Sequence, residues 1–492
     1  MWTIMQFSLD RSSHQPLYQQ LAQDIQRRIK AGTLPPGTRL PTVRELASQL
    51  GVTRLTIHSA YSELQSGGWV EATVGRGTFV AAQFEIQQVF EPAREVSAHN
   101  VISDMLRMSQ TPGMRSLAMA DAAAELFPQR EFQQALNEAL SDPSSLSYTA
   151  AQGDPLLRTA FADWLRQRGL RAGPDEIVVT AGVTQGMALT AQALARPGDT
   201  VLVESPTYLG ALNIFGSQGL RVVGVPIDQH GMLIDELETL LQSHRPRFIY
   251  TIPTFHNPTG ICMSAERRAS LLAIAARANL PIVEDDIYAA LAYEQPVPLA
   301  LKAADQHHNV IYLTSVSKSL LPGIRLGCIV APLRLVSRLT QLKQTIDLCS
   351  PALLQRALAL FLQRGAATNH LRRIVPRYRE RRDALLDAMT RWFPAGVRWT
   401  VPNGGFSTWV TLPGQTSIVD LYLAAIEQGV AFTPGDVFFS NAAPQPHLRL
   451  AFSTQPPEQL ELIARQLGDL IGNHLRRRSF TPRPVADWVP LV

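Results

Sequence analysis

The sequence predicts a two-part α/β chain: a small helical domain closed by a hairpin, then a large domain on a mostly parallel seven-stranded sheet. Three observations carry this expectation. The 492 residues exceed the roughly 100 to 200 of a single domain. Apolar residues first recur at helical spacing, whereas beyond residue 113 short β-rich runs alternate with helical stretches. With 46% hydrophobic and 17% charged residues the chain can bury large cores, which excludes a wholly disordered polymer.

Other classes fall away on the same reading. No window approaches ~18 uninterrupted apolar residues, and the start lacks the basic and apolar regions of a signal peptide, so no membrane span is expected. Cys262, Cys328 and Cys349 are scattered and lack metal-ligand spacing, so no metal is expected and a reducing cytoplasm fits. Charge is localised instead. Residues 1–82 hold eight basic and five acidic residues, a net +3 of the chain's +4. So small an excess marks where a polyanion would bind more than it proves one.

Leu17, Leu21, Ile25 and Ile29 repeat every four positions behind Pro16, which predicts a first helix ending near Gly32. Thr42 stands three residues before Glu45, the spacing of a capping box. Val43, Leu46 and Leu50 then form the apolar stripe of a second helix that Gly51 stops. Thr53 caps a third helix with Ile57, Ala60, Tyr61 and Leu64 inward. Two short helices on so tight a glycine turn read as helix-turn-helix, and WVEATVGRGTFV as a hairpin around Gly75-Arg76-Gly77.

The stretch LPTVRELASQLGVTRLTIHSAYSELQSGGWVEATVGRGTFV resembles the winged helix-turn-helix of the GntR superfamily, over about residues 14–82. The resemblance implies double-stranded DNA as partner. It places Arg54, Thr56 and His58 of the third helix toward the major groove, with Arg44 and wing Arg76 on phosphates or the minor groove. Arginine suits this work because its planar fork can bind guanine at two points.

Residues 83–112 lose clean periodicity and read as a linker, and 475–492 as a C-terminal tail. In residues 113–474 seven runs predict strands: EIVVT, TVLVE, LRVVGVP, FIYTIP, PIVEDD, VIYLTS and IRLGCIVAP. Polar clusters follow them: Gly182-Val183-Thr184, Tyr208, His256-Asn257-Pro258-Thr259-Gly260, Asp285-Asp286 and Ser315-Val316-Ser317-Lys318. Ligands of open α/β sheets bind at the carboxyl ends of the strands, so these clusters should converge on one site.

This constellation resembles the fold type I, aminotransferase class I enzymes that use pyridoxal 5'-phosphate, SVSKSLLPGIRLG being its most specific stretch. The resemblance makes Lys318 the residue that binds the cofactor covalently. Ser315, Ser317 and Arg325 would hold its phosphate, with the backbone of Val183 and Thr184 opening a helix beneath it. Asp285 would pair with the pyridine nitrogen, Asn257 and Tyr288 with the phenolic oxygen, and Tyr208 would lie against the ring. Arg449 would clamp an α-carboxylate, and Tyr148 would reach the phosphate of a neighbouring subunit. A lone Asn-Pro-Thr-Gly is usually only a turn; the ordered set from residue 148 to residue 449 is what carries weight.

A GntR-type winged helix joined to such a domain resembles the MocR subfamily of bacterial transcriptional regulators. That implies a homodimer, domain-swapped and head-to-tail, reading an operator of two half-sites and sensing pyridoxal phosphate or an amino-compound effector. The alternative is an aminotransferase with an accessory DNA-binding domain, and physiological turnover stays open between the two. Two departures from the family pattern stand near the expected substrate side: His256, where glutamine is usual, and the apolar run Ile287, Ala289 and Ala290.

Overall fold

The computed structural model describes residues 16–30, 33–35, 37–66, 69–73, 77–81, 113–294, 296–414 and 416–476. The chain divides into two compact units, Met1–Glu95 and Val96–Val492. The expected linker, the wing tip with Arg76 and the tail from residue 477 lie outside the described residues.

In the first unit α1 (Leu17–Lys30), α2 (Val43–Leu50) and α3 (Arg54–Ser66) precede β1 (Val70–Thr73) and β2 (Gly77–Val80), which pair antiparallel. The helical period becomes a core: Leu21, Ile25, Leu46, Ile57, Ala60 and Leu64 are fully buried. The stripe of α2 is narrower than predicted, since Leu46 and Ala47 are buried while Val43 and Leu50 are only half-buried. The capping box is present, with the Glu45 amide donating to Thr42 Oγ1 at 3.2 Å and the Thr42 amide to Glu45 Oε2 at 2.9 Å. Gly51 ends α2 with φ 63°, a left-handed conformation that suits glycine. The Tyr61 hydroxyl donates to the Pro41 carbonyl at 2.7 Å, tying α3 to the entrance of α2.

The second unit opens with β3 (Arg115–Ser116), α4 (Gln129–Leu140) and α5 (Pro155–Leu165). A βα alternation follows: β4 (Ile177–Thr180), α6 (Val183–Leu194), β5 (Thr200–Ser205), α7 (Leu209–Ser217), β6 (Arg221–Asp228), β7 (Gly231–Met232), α8 (Ile234–His244), β8 (Phe248–Thr251), α9 (Ala265–Ala278), β9 (Ile282–Asp285), α10 (Leu301–Ala304), β10 (Val310–Ser315) and β11 (Gly327–Val330). The strands form one sheet of eight, in the order β4-β11-β10-β9-β8-β5-β6-β7. From β10 through β9, β8 and β5 to β6 every pair is parallel, while β11 runs antiparallel between β4 and β10. All seven predicted strands are here. The eighth, β7, is a two-residue antiparallel return on β6, too short to leave an apolar run in the sequence.

Side chains alternate across this sheet. Val178, Val201, Val203, Ile311, Leu313 and Ile329 enter one core with α6, while Ile177, Val179, Tyr312, Cys328 and Val330 enter another with α5. Burial on both faces explains the near-continuous apolar runs. The chain continues through α11 (Leu333–Asp347), α12 (Ala352–Gln363) and the long α13 (Ala366–Trp392). It then forms a smaller layer: β12 (Arg398–Trp399), β13 (Ser407–Thr411), α14 (Ile418–Glu427), β14 (Val430–Ala431), β15 (Thr433–Pro434), β16 (His447–Ala451) and α15 (Pro457–Arg476). Four of these strands make an antiparallel sheet ordered β12-β13-β16-β15, and β14 pairs with β3 in parallel. That second pairing draws residues 115–121 across from the start of the unit.

Candidate functional sites

The carboxyl ends of the large sheet surround a cavity of about 240 Å³. Eleven of the twelve residues expected for cofactor and carboxylate binding line it: Val183, Thr184, Tyr208, Asn257, Asp285, Tyr288, Ser315, Ser317, Lys318, Arg325 and Arg449. Tyr148, the twelfth, is 85% exposed on the unit's own surface and takes no part in this cavity.

Each residue is placed by local structure. Asp285 closes β9, and its Oδ2 accepts the Tyr250 hydroxyl at 2.9 Å while Oδ1 accepts the Ile287 amide at 3.3 Å. Burial is the main force on this carboxyl and pushes it up to about 7. The Tyr250 and Ile287 hydrogen bonds oppose that push, while the neighbouring Asp286 and Glu204 charges add to it. Beyond β10 the Ser317 amide donates to Ser315 Oγ at 3.0 Å, a turn that delivers Lys318 to the cavity. Arg325, at φ 51°, donates to Ser317 Oγ at 3.3 Å and to the Ala181 carbonyl at 3.2 Å. Gly182 is needed for this: a Cβ there would stand 2.8 Å from Arg325 Nη2, at a backbone φ of 84°. Gly182 also caps α6 without any side-chain hydrogen bond, leaving an open helix start beside Arg325.

Lys318 Nζ donates to Asp121 Oδ1 at 3.1 Å. Burial lowers the affinity of Lys318 for its proton; Asp121 counters this, and the Arg449 and Arg325 charges reinforce the lowering. Arg449 lies on β16, whose flanking Leu448 and Leu450 enter the small-layer core, so strand alternation turns Arg449 to the opposite face. It donates to Asn257 Oδ1 at 3.1 Å, to Thr433 Oγ1 at 3.0 Å and to the Ala118 carbonyl, and it stacks on Phe438 at 5.1 Å. Its Nε is buried without a partner among the described residues. Burial pulls this guanidinium down to about 10, still well above neutrality. The Tyr208 and Tyr288 hydroxyls are pushed upward by burial and remain protonated.

Asp121 escaped the sequence reading. A single aspartate in the irregular, alanine-rich AMADAAAE carries no motif, and only the β3–β14 pairing brings it over the site. The expected roles of the two departures need correcting. His256 is not on the cavity wall; it is buried, 2.8 Å from Thr259 Oγ1 and 3.3 Å from Glu204 Oε2, behind Asn257. Ala289 and Ala290 line a different cavity, and only Ile287 faces this one.

In the first unit Arg44, Arg54 and His58 are exposed, while Thr56 is half-buried and shares a hydrogen bond of 2.8 Å with Thr53. Thr56 therefore serves the helix start as much as any ligand. Leu55, 74% exposed beside Arg54, is an apolar outward contact that polar-residue reasoning overlooked.

Residues 116–467 match the family of aminotransferases class I and II, and residues 17–80 match the bacterial regulatory proteins of the gntR family. The chain belongs to both families. The joint arrangement is the MocR organisation, and full-length relatives share it. The chain is 32% identical over 468 residues to the HTH-type transcriptional regulator YdcR of Escherichia coli, covering 93% of this chain and 99% of that protein. It is 31% identical over 475 residues to the HTH-type transcriptional regulator TauR of Rhodobacter capsulatus, covering 92% and 96%. The aminotransferase-like unit resembles the solved α-aminoadipate aminotransferase LysN of Thermus thermophilus, complexed with N-(5'-phosphopyridoxyl)-L-leucine. The TM-score is 0.72 and the identity 35%, over 77% of this chain and 97% of that one. Class I aminotransferases are a pyridoxal-phosphate-dependent fold family. Among the described residues no helix of this MocR-type chain is long and apolar enough to cross a membrane, and no cluster of metal-ligating side chains occurs.

Proposed function

We propose that this MocR-type chain is a pyridoxal-phosphate-dependent DNA-binding regulator whose larger unit senses an amino compound. The observation that carries this reading is the convergence of Lys318, Asp285, Arg325 and Arg449 on one cavity, in a chain that also holds a gntR helix-turn-helix. The residues fit the cofactor: an uncapped helix start beside Arg325, Ser315 and Ser317 suits a phosphate, and the orphaned Nε of Arg449 suits a carboxylate. When bound, pyridoxal phosphate supplies an aldehyde that takes up primary amines and a ring that draws electrons.

The side chains do the rest. Lys318, its proton affinity lowered by burial, would hold the cofactor covalently, and Asp121 accepts a hydrogen bond from it. Asp285, poised near neutrality and oriented by Tyr250, would pair with the cofactor's pyridine nitrogen. Tyr208 would lie against the cofactor ring, and Asn257 and Tyr288 would hold its phenolic oxygen. Arg449 clamps the effector's carboxylate. Tyr148, exposed on its own unit, reaches the partner's phosphate in a homodimer that is domain-swapped and head-to-tail. Arg54, Thr56 and His58 read the major groove of two half-sites, and Arg44 and Arg76 hold the backbone. The complete set Lys318, Asp285 and Arg449 also favours a second reading, transamination by the same site.

The deciding experiment measures operator affinity of the cofactor-loaded chain against a panel of amines and amino acids. At least one amino compound should change affinity about tenfold, a coupling of about 1.4 kcal/mol. Unchanged affinity across the panel, with steady release of keto acid, would establish the aminotransferase reading instead. Affinity that follows pyridoxal phosphate occupancy alone would make the cofactor itself the signal.

A further inference from the structure

A second cavity of about 470 Å³ lies in the larger unit, between the sheet and α13. Its volume falls within the range of small-molecule pockets, roughly 300–1,000 Å³. Trp164, Leu371 and Val375 make its apolar wall. Its polar side is incomplete. Asp286 spends Oδ2 on Arg168 Nε and on the Tyr312 hydroxyl, both at 2.9 Å, while its buried Oδ1 has no partner among the described residues. Arg168 donates Nη1 to the Pro298 carbonyl at 3.0 Å and leaves Nη2 unpaired, and Ser319 Oγ is unpaired as well. Buried polar groups are normally satisfied, so three orphans on residues of one cavity need an account. A further acceptor comes from α13. Pro376, inside this helix, has no N–H to give the carbonyl of Arg372 four residues earlier, and both residues line the cavity.

We propose that this cavity binds a free apolar α-amino acid as a second effector. The carboxylate pairs with Arg168 and with the exposed Arg372 guanidinium, the ammonium donates to Asp286 Oδ1 and the Arg372 carbonyl, and the side chain rests on Trp164, Leu371 and Val375. A ligand held this way bridges β9 to α13. The two cavities share one wall: Asp285 lines the first and Asp286 the second, Lys318 the first and Ser319 the second, and Ile287 lines both. Occupancy of the second cavity therefore bears on the residues that set the first, although its binding does not require the cofactor reading to hold.

The test is calorimetric titration of the full-length chain with L-leucine, after loading with pyridoxal phosphate and reduction with borohydride so that the first cavity is locked. Saturable binding of L-leucine should persist, with 4-methylpentanoate and leucine amide far weaker because each lacks one charge. Arg372→Glu, on an exposed position, should weaken L-leucine at least tenfold, and Ala290→Phe should abolish binding by filling the cavity. Absence of binding to the locked parent chain overturns the proposal, and so does equal affinity in parent and both variants. If no reducible cofactor forms at Lys318, the reading of the first cavity fails alone, and the same titration on the unreduced chain still decides the second.

Discussion

The two units spend charge in opposite ways. In the first, Arg44, Arg54 and His58 stand in solvent on helices whose core residues Leu46, Ile57, Ala60 and Leu64 are fully buried, so binding chemistry and folding barely share residues. In the second, Asp285 and Arg449 are almost completely buried, and what surrounds them alters their hold on protons. A surface that meets a polyanion works through exposed cations, screened by salt and tolerant of substitution. A site that must hold one small zwitterion works through desolvated groups whose partners are fixed in advance. Substitutions should therefore separate cleanly: affinity changes without loss of stability in the first unit, coupled changes in the second.

The largest expected effect is at Arg449. Arg449→Ala removes a buried cation and strands Asn257 Oδ1, while Thr433 Oγ1 keeps its bond to the Ala118 carbonyl, so the response to amino acids should fall by about 2–5 kcal/mol, roughly thirtyfold or more. Spectrophotometric titration of the loaded protein reads this directly. Operator affinity without effector should remain within about twofold of the parent, because the hydrogen-bond partners of Arg449 all belong to the second unit. Parent-like titration by amino acids would remove Arg449 from the effector site and break the contrast between the units.

Next in size is a pH effect at Asp285. Its carboxyl is raised from about 4 to about 7, so in that window the folded chain keeps a proton that the unfolded chain has released. Stability from this group is therefore greatest below the unfolded value and is lost as pH rises through the folded one. Urea midpoints compared between parent and Asp285→Asn should move in favour of the variant between about pH 5 and pH 7, then level off. A constant difference across that range would show that Asp285 is ionised throughout in the cofactor-free chain.

The third effect belongs to the first unit. Arg54→Ala should relax sequence preference by about 1–3 kcal/mol on operator DNA and leave non-specific affinity nearly intact. Arg76→Ala should weaken both kinds of binding alike and flatten the salt dependence by about one ion. Equal, purely non-specific losses in both variants would cancel this division. Leu55, exposed next to Arg54, sharpens the test, because Leu55→Ala should lower discrimination at a thymine methyl alone.

How much of this was legible in the sequence differs between the units for physical reasons. Local patterns write local structure: the four-residue period behind Pro16, the Thr42–Glu45 spacing and Gly51 each match an observed element of the first unit. The seven central strands were equally plain, because burial on both faces leaves apolar runs. What the sequence concealed depends on distant pairing. Asp121 reaches Lys318 only because β3 joins β14 across three hundred residues of chain, and the short strands from Arg398 onward carry too little pattern to declare themselves. His256 misled for a related reason. Adjacency to Asn257 in sequence suggested adjacency to the ligand, but consecutive residues in this turn face opposite ways, and Glu204 and Thr259 hold the imidazole behind the wall.

The smallest effect tests whether the first unit's stability is as separable from its binding surface as the comparison holds. Thr42→Ala deletes the oxygen that accepts the Glu45 amide, while the Thr42 amide can still donate to the Glu45 carboxylate, so half of the capping box survives. The expected cost is about 1 kcal/mol, and Thr42→Ser should restore most of it. Hydrogen exchange at the Glu45, Leu46 and Ala47 amides is the appropriate measurement, because it reads opening of α2 without reference to the rest of the chain. Hydrogen bonds donated to the Glu45 carboxylate, chiefly by the Thr42 amide and then by the Thr42 side chain, hold this carboxyl below its usual range. A depressed carboxyl stabilises above its unfolded value and loses that contribution as pH falls through the folded one, so protection should fall in acid in the parent. Operator affinity should change little, since Arg54 and His58 ride on α3, whose own cap is Thr53. If Thr42→Ala instead cost as much specificity as Arg54→Ala, α2 would be setting the presentation of the reading helix, and fold and binding would be coupled in this unit as they are in the other.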